Sequence, residues 1–419
     1  MSCRLILTLL FVAISYTTQA QITLQQYRSS VIDYSHTLRR AEATTEGAEA
    51  DMQLARKEML PSLGVSSEAN YDLRVGDKAR AVSWSMRADV VQPIFYGGVI
   101  HATKERAEML WNEALSREQS AMLDVIYDAD VAYWTLSRAE IYYRAIEDYR
   151  SIVASLRDVA AHRFEEGYTS KSDLLQVESR LSDAEYQLSR AKQQWMQALH
   201  NFNVMRGGDP TDVISLAESI LDTMYLPERE DVAEVVSSHP DYVAAIASRE
   251  ASRWAVKVAR AAYLPNVGAG IYGLWYPKTP NVRGAGTRLD GGVTLTMTTP
   301  IYHFGERRQA MRSARSNLRR AELLAEDIAD EIVLNESNGW TNLVSTLDRV
   351  EAVRHNLNLA TENLEISTYA YGEGLGTILD VLQAQLSWLQ IYNNAIAAQY
   401  DYALAIAAYQ YIIGESLDR

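Results

Sequence analysis

The chain states the same landmarks twice at one spacing. Pro93-Ile94-Phe95 returns as Pro300-Ile301-Tyr302, 207 positions on. Phe164-Glu165-Glu166-Gly167 returns as Tyr371-Gly372-Glu373-Gly374, and Asp173-Leu174-Leu175-Gln176 as Asp380-Val381-Leu382-Gln383, both at that same offset. Leu60-Pro61-Ser62-Leu63-Gly64 has a counterpart in Leu264-Pro265-Asn266-Val267-Gly268. A fixed register of this kind marks a duplicated structural unit, so whatever one half folds into, the other must fold into as well. The halves run over about 22–206 and 227–413, and the breaker cluster Gly207-Gly208-Asp209-Pro210 is the natural join. The expected organisation is a leader over 1–20, a first repeat over 21–206, a linker over 207–226 and a second repeat over 227–419.

Each half reads in one order: a helix, two strands, a very long helix, a tight turn and a long helix. The strands come from alternation. In Val82–Val90, Val82, Trp84, Met86, Ala88 and Val90 alternate with Ser83, Ser85, Arg87 and Asp89. Leu63–Leu73 and Leu289–Thr298 alternate in the same way, while the stretch near Val267–Trp275 is glycine-rich and less clear. Period two puts one set on each face. Strands of about 10 residues, apolar on one side only, suit a membrane β-barrel wall, and equally a soluble sheet with one buried face.

The helices are written in heptads. No proline interrupts the chain from Gly98 to Arg163, a length of roughly 100 Å as one helix. Val125, Ala132, Ala139, Ile146, Val153 and Ala160 recur every seven residues, beside a second stripe through Leu115, Met122, Ala129, Leu136 and Tyr143. Leu174, Leu181, Leu188, Trp195 and Phe202 run with Val177, Ala184, Ala191, Ala198 and Met205. The last helix carries two such pairs of stripes, including Leu379, Leu386, Tyr400 and Ala407 beside Leu382, Leu389, Ile396 and Ala403. A helix with two apolar seams needs two neighbours, which a closed ring of helices supplies and a four-helix bundle within one chain also supplies.

Composition narrows the function classes. The net charge of −14 argues against nucleic-acid binding, which needs clustered Lys and Arg. Only 9 prolines suit long helices, and 25 tyrosines suit half-wet surfaces such as barrel walls. Arg4, the apolar run Leu5–Ile14 and Thr18-Gln19-Ala20 read as a secretory signal. The single cysteine, Cys3, lies inside it, so the mature chain is expected to have no disulfide, thiolate site or cysteine nucleophile. The seven histidines are dispersed, no Gly-x-Ser-x-Gly or phosphate loop is present, and no cofactor or metal is expected. Gly268-x-Gly270-x-x-Gly273 spells a dinucleotide fingerprint, but it lies in a strand region with no helix after it. Trp84, Trp275, Tyr71, Tyr272 and Tyr276 are candidates for interfacial girdles or for ordinary wall packing.

Four strands cannot close a barrel, for which about eight is the usual minimum. An open sheet in lipid leaves its edge groups unsatisfied. If these strands enter a membrane, several chains must therefore share one barrel. Two chains give eight strands and a filled interior; three give twelve and an aqueous lumen.

On the duplicated Leu-Pro strand entries, on Pro93-Ile94-Phe95-Tyr96-Gly97-Gly98 with Pro300-Ile301-Tyr302-His303-Phe304-Gly305, and above all on Tyr371-Gly372-Glu373-Gly374-Leu375-Gly376-Thr377-Ile378-Leu379-Asp380-Val381-Leu382-Gln383-Ala384-Gln385, the chain resembles the TolC family of outer-membrane efflux and secretion proteins. The resemblance covers essentially the whole mature chain. It implies a mainly α fold with a membrane β-barrel: four strands and long coiled-coil helices per chain, in two repeats, assembling as a homotrimer with a twelve-stranded barrel and a helical periplasmic tunnel. It implies an outer-membrane location, contact with outer-membrane lipid, a periplasmic adaptor (membrane fusion) protein, an inner-membrane transporter reached through that adaptor, and no catalysed reaction.

The same resemblance assigns candidate residues. Asp380 matches an aspartate that lines the tunnel constriction, and Asp173 and Tyr371 match a pair that bonds across neighbouring helices to hold it shut. This chain departs from the pattern at Gln383, where some relatives have a second aspartate, and at Gly376, where they have arginine. The closed state is therefore expected to be held less tightly. Gly167, Gly374, Leu375, Gly376 and Thr377 are the candidate docking tips. A purely structural reading stands beside these: Ser170-x-x-Asp173 and Thr377-x-x-Asp380 are capping boxes, and turn glycines serve any helical hairpin. The competing function is a soluble periplasmic coiled-coil scaffold whose short hairpins pack on its own helices.

Overall fold

The computed structural model of the chain describes residues 21–72, 81–222, 224–277, 286–302 and 304–415. The leader reading over 1–20, Cys3 included, lies outside them. Eight helices and four strands follow in the order α1 (Leu24–Tyr34), α2 (His36–Lys57), β1 (Ser62–Asp72), β2 (Ala81–Tyr96), α3 (Val99–Glu165), α4 (Lys171–Met205), α5 (Val232–Ser238), α6 (Pro240–Ala261), β3 (Asn266–Pro277), β4 (Thr287–Thr298), α7 (Glu306–Gly372) and α8 (Ile378–Ile412).

The duplication survives at the level of single residues. Helices α2 and α6 are both 22 residues long and begin 204 positions apart. Helices α3 and α7 are both 67 residues, and α4 and α8 both 35, with starts 207 apart. The β1–β2 register, Ser62 opposite Val91, maps onto the β3–β4 register, Asn266 opposite Thr298, under the same two offsets. The change of offset therefore falls in the segments that join β1 to β2 and β3 to β4.

One expectation is corrected. Each half opens with two helices rather than one. The first break is at Ser35, whose extended backbone ends α1. The second is at His239, which caps α6 by accepting the Asp241 N–H on Nδ1 at 3.2 Å ahead of Pro240. Proline at the first helical position and a capping side chain before it start a helix afresh. Burial holds the His239 pKa below its ordinary value, which keeps the imidazole neutral and its lone pair available.

The chain divides into two compact units that cut across the repeats. One contains 21–35, 124–229 and 337–412. Its core stacks Tyr27 on Phe202 at 3.8 Å between ring centroids, beside Tyr133, Leu136 and Leu199. Two buried phenols of this core are satisfied: Tyr27 donates to the Phe202 carbonyl and Tyr133 to the Ile22 carbonyl. Seam positions Val125, Ala132, Ile146, Val153, Ala160, Val177, Ala184 and Ala191 are buried as heptad spacing requires. Leu379 and Leu386, from the α8 stripes, stay exposed.

The other unit contains 36–123, 230–336 and 413–415 and carries the sheet, an antiparallel meander in the order β1-β2-β3-β4. Its register aligns the alternation of every strand. Leu63 lies opposite Val90, which lies opposite Ile271, which lies opposite Val293. Trp275 lies between Met86 and Leu289, and Gly273 between Ala88 and Gly291. One face is thus apolar across all four strands, and the other carries Ser66, Glu68, Arg87, Asp89, Asp290, Thr294 and Thr296. The apolar face is uncovered: Leu63, Leu289, Val293, Leu295 and Met297 are each at least 66% exposed. Trp84 and Trp275 meet edge to face on that side at 5.3 Å. Tyr272 and Tyr276 belong to the opposite face, where Arg87 lies over the Tyr272 ring, so only Tyr71, Trp84 and Trp275 of the girdle candidates share the apolar side. The fingerprint glycines Gly268, Gly270 and Gly273 lie inside β3.

Candidate functional site

The two helical hairpins end in the same backbone motif. At the end of α3, Gly167 turns left-handed at φ +84°; its N–H donates to the Phe164 carbonyl and the Tyr168 N–H to the Arg163 carbonyl at 2.8 Å. At the end of α7, Gly374 does the same at φ +77°, with Gly374 N–H to the Tyr371 carbonyl and Leu375 N–H to the Ala370 carbonyl at 2.8 Å. This pair of back-bonds satisfies carbonyls that a helix end leaves open, and positive φ is why glycine stands there. The motif throws the next side chain into solvent: Tyr168 is 79% exposed and Leu375 is 83% exposed. Sequence reasoning singled out Leu375 and missed Tyr168, although the 207-residue offset pairs the two.

Each turn then starts the return helix with a capping box. The Ser170 hydroxyl accepts the Asp173 N–H, while the Asp173 carboxylate accepts the Ser170 N–H and the Thr169 hydroxyl. At the other tip the Thr377 hydroxyl accepts the Asp380 N–H, and Asp380 accepts the Thr377 N–H at 3.0 Å and its hydroxyl at 2.6 Å. Hydroxyl donors first, then backbone N–H groups, hold both carboxyls below the usual aspartate range, so both are charged at neutral pH. Gly376 stands where the first repeat has Thr169, so the hydroxyl that bonds Asp380 comes from its cap residue Thr377, whereas Asp173 takes its bond from Thr169, one residue before the cap.

The tips are tied to each other. Leu156, Ala160, Val177, Tyr371, Ile378, Val381 and Leu382, drawn from α3, α4, α7 and α8, form one buried cluster. Arg163, in the last turn of α3, lays its guanidinium 4.8 Å from the Tyr371 ring centroid and donates to the Gly372 carbonyl at 2.8 Å. A cation between two helix C-termini is favoured by both dipoles and by the aromatic face. Tyr371 is 5% exposed, and its hydroxyl has no hydrogen-bond partner among the described residues. Asp380 and Gln383 lie three residues apart on the exposed side of α8. Among the described residues no cluster of His, Cys, Asp or Glu is arranged to hold a metal.

Residues 27–208 and 232–415 match the family pattern of the outer membrane efflux proteins, one match per repeat. The chain belongs to the outer membrane efflux protein family. It is 20% identical over 412 residues to the outer membrane protein TolC of Escherichia coli strain K12, a match spanning 93% of this chain and 81% of that protein. It is 25% identical over 288 residues to the outer membrane efflux protein BepC of Brucella suis biovar 1 strain 1330, covering 65% of this chain and 61% of BepC. The fold is that of the outer membrane protein VceC from Vibrio cholerae, with a TM-score of 0.82 at 17% identity over 93% of this chain and 96% of that one. This member of the family is an outer-membrane channel subunit of an efflux system. The scaffold alternative required strands packed on the chain's own helices; the uncovered apolar face of the sheet is the physical reason it is not favoured.

Proposed function

We propose that three copies of this chain close one twelve-stranded barrel in the outer membrane and one twelve-helix tunnel in the periplasm. The assembly is a passive exit duct that catalyses no reaction and receives its cargo from an inner-membrane transporter through a periplasmic adaptor. The observation that carries this reading is the continuous apolar sheet face, exposed to whatever surrounds it, on a sheet whose edges β1 and β4 are both open. Lipid covers the face, and only another copy of the same sheet satisfies the edges without leaving new ones.

The duplication specifies how the copies join. Within one chain, β2 pairs β3 with Met86 opposite Trp275 and Ala88 opposite Gly273, and α3 lies against α6, with His101 edge-on to Trp254. Applying the two offsets carries that junction onto β4 of one chain and β1 of the next. Val293 then meets Tyr71 of the partner subunit, and Leu295 meets Ala69 of the partner subunit, with apolar residues still on one face. A polar tie transfers as well. Ser120 Oγ bonds Asp241 Oδ1 at 2.6 Å across α3 and α6, and the equivalent positions are Asp327 and Thr37. The hydroxyl and the carboxylate exchange helices while the pair is kept. Phe304 stands where Gly97 does, so the two junctions differ there by a phenyl ring.

At the tips, exposed Leu375 and Tyr168 offer the adaptor an apolar contact framed by Gly167, Gly374, Gly376 and Thr377. Three copies of Asp380, each beside a Gln383, line the constriction with an acidic ring that favours cations. Tyr371 and Asp173 support it from behind, one as a packed ring and one as a cap.

Cysteine pairs test the junction. Cys3 is the chain's only cysteine, so a Cys3→Ser background is silent. Leu295→Cys with Ala69→Cys is expected to give disulfide-linked species of two and three chains under oxidation. Leu295→Cys with Asn70→Cys, on opposite faces, is expected to give none. Cross-linking of the second pair and not the first overturns the register, and no intermolecular product from either overturns the shared barrel.

A further inference from the structure

Between the end of α6 and the start of α7 lies an open groove of about 670 Å³ lined by Lys257, Arg260, Arg307, Arg308 and Arg315. No carboxylate lines it. Lys257 rests 3.3 Å from the centroid of the Trp254 ring, and the four guanidiniums make no ion pair or hydrogen bond among the described residues. The nearest acid along the chain, Glu306, is engaged by the Tyr263 hydroxyl. Five like charges around one groove repel each other and cost stability unless an anion shares the space.

The other repeat shows that the fold does not need this. Under the two offsets the five positions are Gln53, Arg56, Ile100, His101 and Glu108 in the first repeat. There Arg56 and Glu108 form an ion pair at 3.5 Å. The second repeat keeps the arginine and replaces its glutamate by Arg315, then adds Lys257, Arg307 and Arg308. One copy of the same helix pair is self-neutralised, and its duplicate has been converted to a site with cations only.

Its place in the fold indicates the ligand. Arg260 lies six residues before β3, and Arg307 nine residues after β4, so the groove borders the helix-side margin of the sheet. With the apolar face against acyl chains, that margin is the level of the phospholipid headgroups. The start of α7 also opens into the groove at Gly305, adding a positive helix end. We propose that the groove is a binding site for a phosphate-bearing anion, supplied by the headgroup of an anionic phospholipid at the periplasmic face of the membrane. The lipid assignment rests on the barrel reading above; the phosphate assignment rests on the groove alone.

The test compares the full chain in mild detergent with two variants that copy residues of its own first repeat, Arg315→Glu and Arg307→Ile. Those residues already occupy the equivalent positions of a folded helix pair, so both variants are expected to assemble normally. Thermal stability is titrated with phosphatidylglycerol, with phosphatidylcholine and with inorganic phosphate. Wild type is expected to be stabilised by phosphatidylglycerol and not by phosphatidylcholine, with Arg315→Glu binding roughly thirtyfold more weakly after a charge change of two. Stabilisation by inorganic phosphate that matches phosphatidylglycerol and is lost in Arg315→Glu supports the site and assigns it to free phosphate. Equal shifts with wild type and both variants, or none with either anion, overturn the proposal. The phosphate arm needs no membrane, so it reads the groove even if the chain proves not to insert.

Discussion

Arg163 does more at the tips than any residue that local patterning marks. Its guanidinium joins residues 209 positions apart, stacking on Tyr371 and closing on the Gly372 carbonyl. A charge-assisted hydrogen bond and an exposed cation–π contact together hold the tips by about 1–2 kcal/mol. Asp380, by contrast, is exposed and bonded only to its own cap. Arg163→Ala is expected to raise single-channel conductance in planar bilayers more than Asp380→Ala does, and Asp380→Ala to raise it only modestly. A several-fold rise from Asp380→Ala, with Arg163→Ala silent, would reverse the assignment. The caps and turn glycines were legible in the sequence because their chemistry is confined to four or five consecutive residues. Arg163 was not, because an arginine in a last helical turn says nothing about a carbonyl on another hairpin.

At the scale of the element, the sheet is where sequence and structure agree most closely and where the sequence leaves most undecided. Alternation located β1 and β4 to within one or two residues, since each side chain votes for a face, but it stopped at Val90 in β2, which runs on to Tyr96 through Pro93 and a register shift. In β3, Gly268, Gly270 and Gly273 cast no vote, so that strand was faint until its neighbours fixed the register. Alternation also fits a buried sheet equally well; only the exposure of Leu289, Val293, Leu295 and Met297 decides for lipid. Placing a cation on that face in mid-strand is costly, about 2–4 kcal/mol, whereas the lumen side tolerates it. Val293→Arg is therefore expected to deplete the assembled protein from salt-washed outer membranes, and Thr294→Arg, one residue along, to leave its yield near wild type. Equal yields from the two variants would contradict the assignment of faces. The breaks at Ser35 and His239 fall within one expected helix, because the apolar period does not change there; Pro240 is a mark of the second in the sequence, while the first is marked by cap geometry alone.

For the whole molecule, the duplication is what makes a ring possible. A chain whose second half repeats the first offers at its two edges the surfaces that already pair in its middle, so copies can add head to tail by the same junction until the curvature closes. The sequence made the repeat and the need for partners legible, but not their number, which depends on the angle at each junction and has no signature in residue order. The halves have also diverged: Gly376 for Thr169 and Leu375 for Tyr168 at the tips, Arg315 for Glu108 beside the sheet. A ring of three such chains would therefore have threefold rather than sixfold character, with two kinds of tip alternating around it. The most direct test is native mass spectrometry of the full-length gene product extracted in mild detergent from outer membranes washed at high salt. An assembly of three chains is expected in the membrane fraction; a monomer released by the wash would contradict the shared ring.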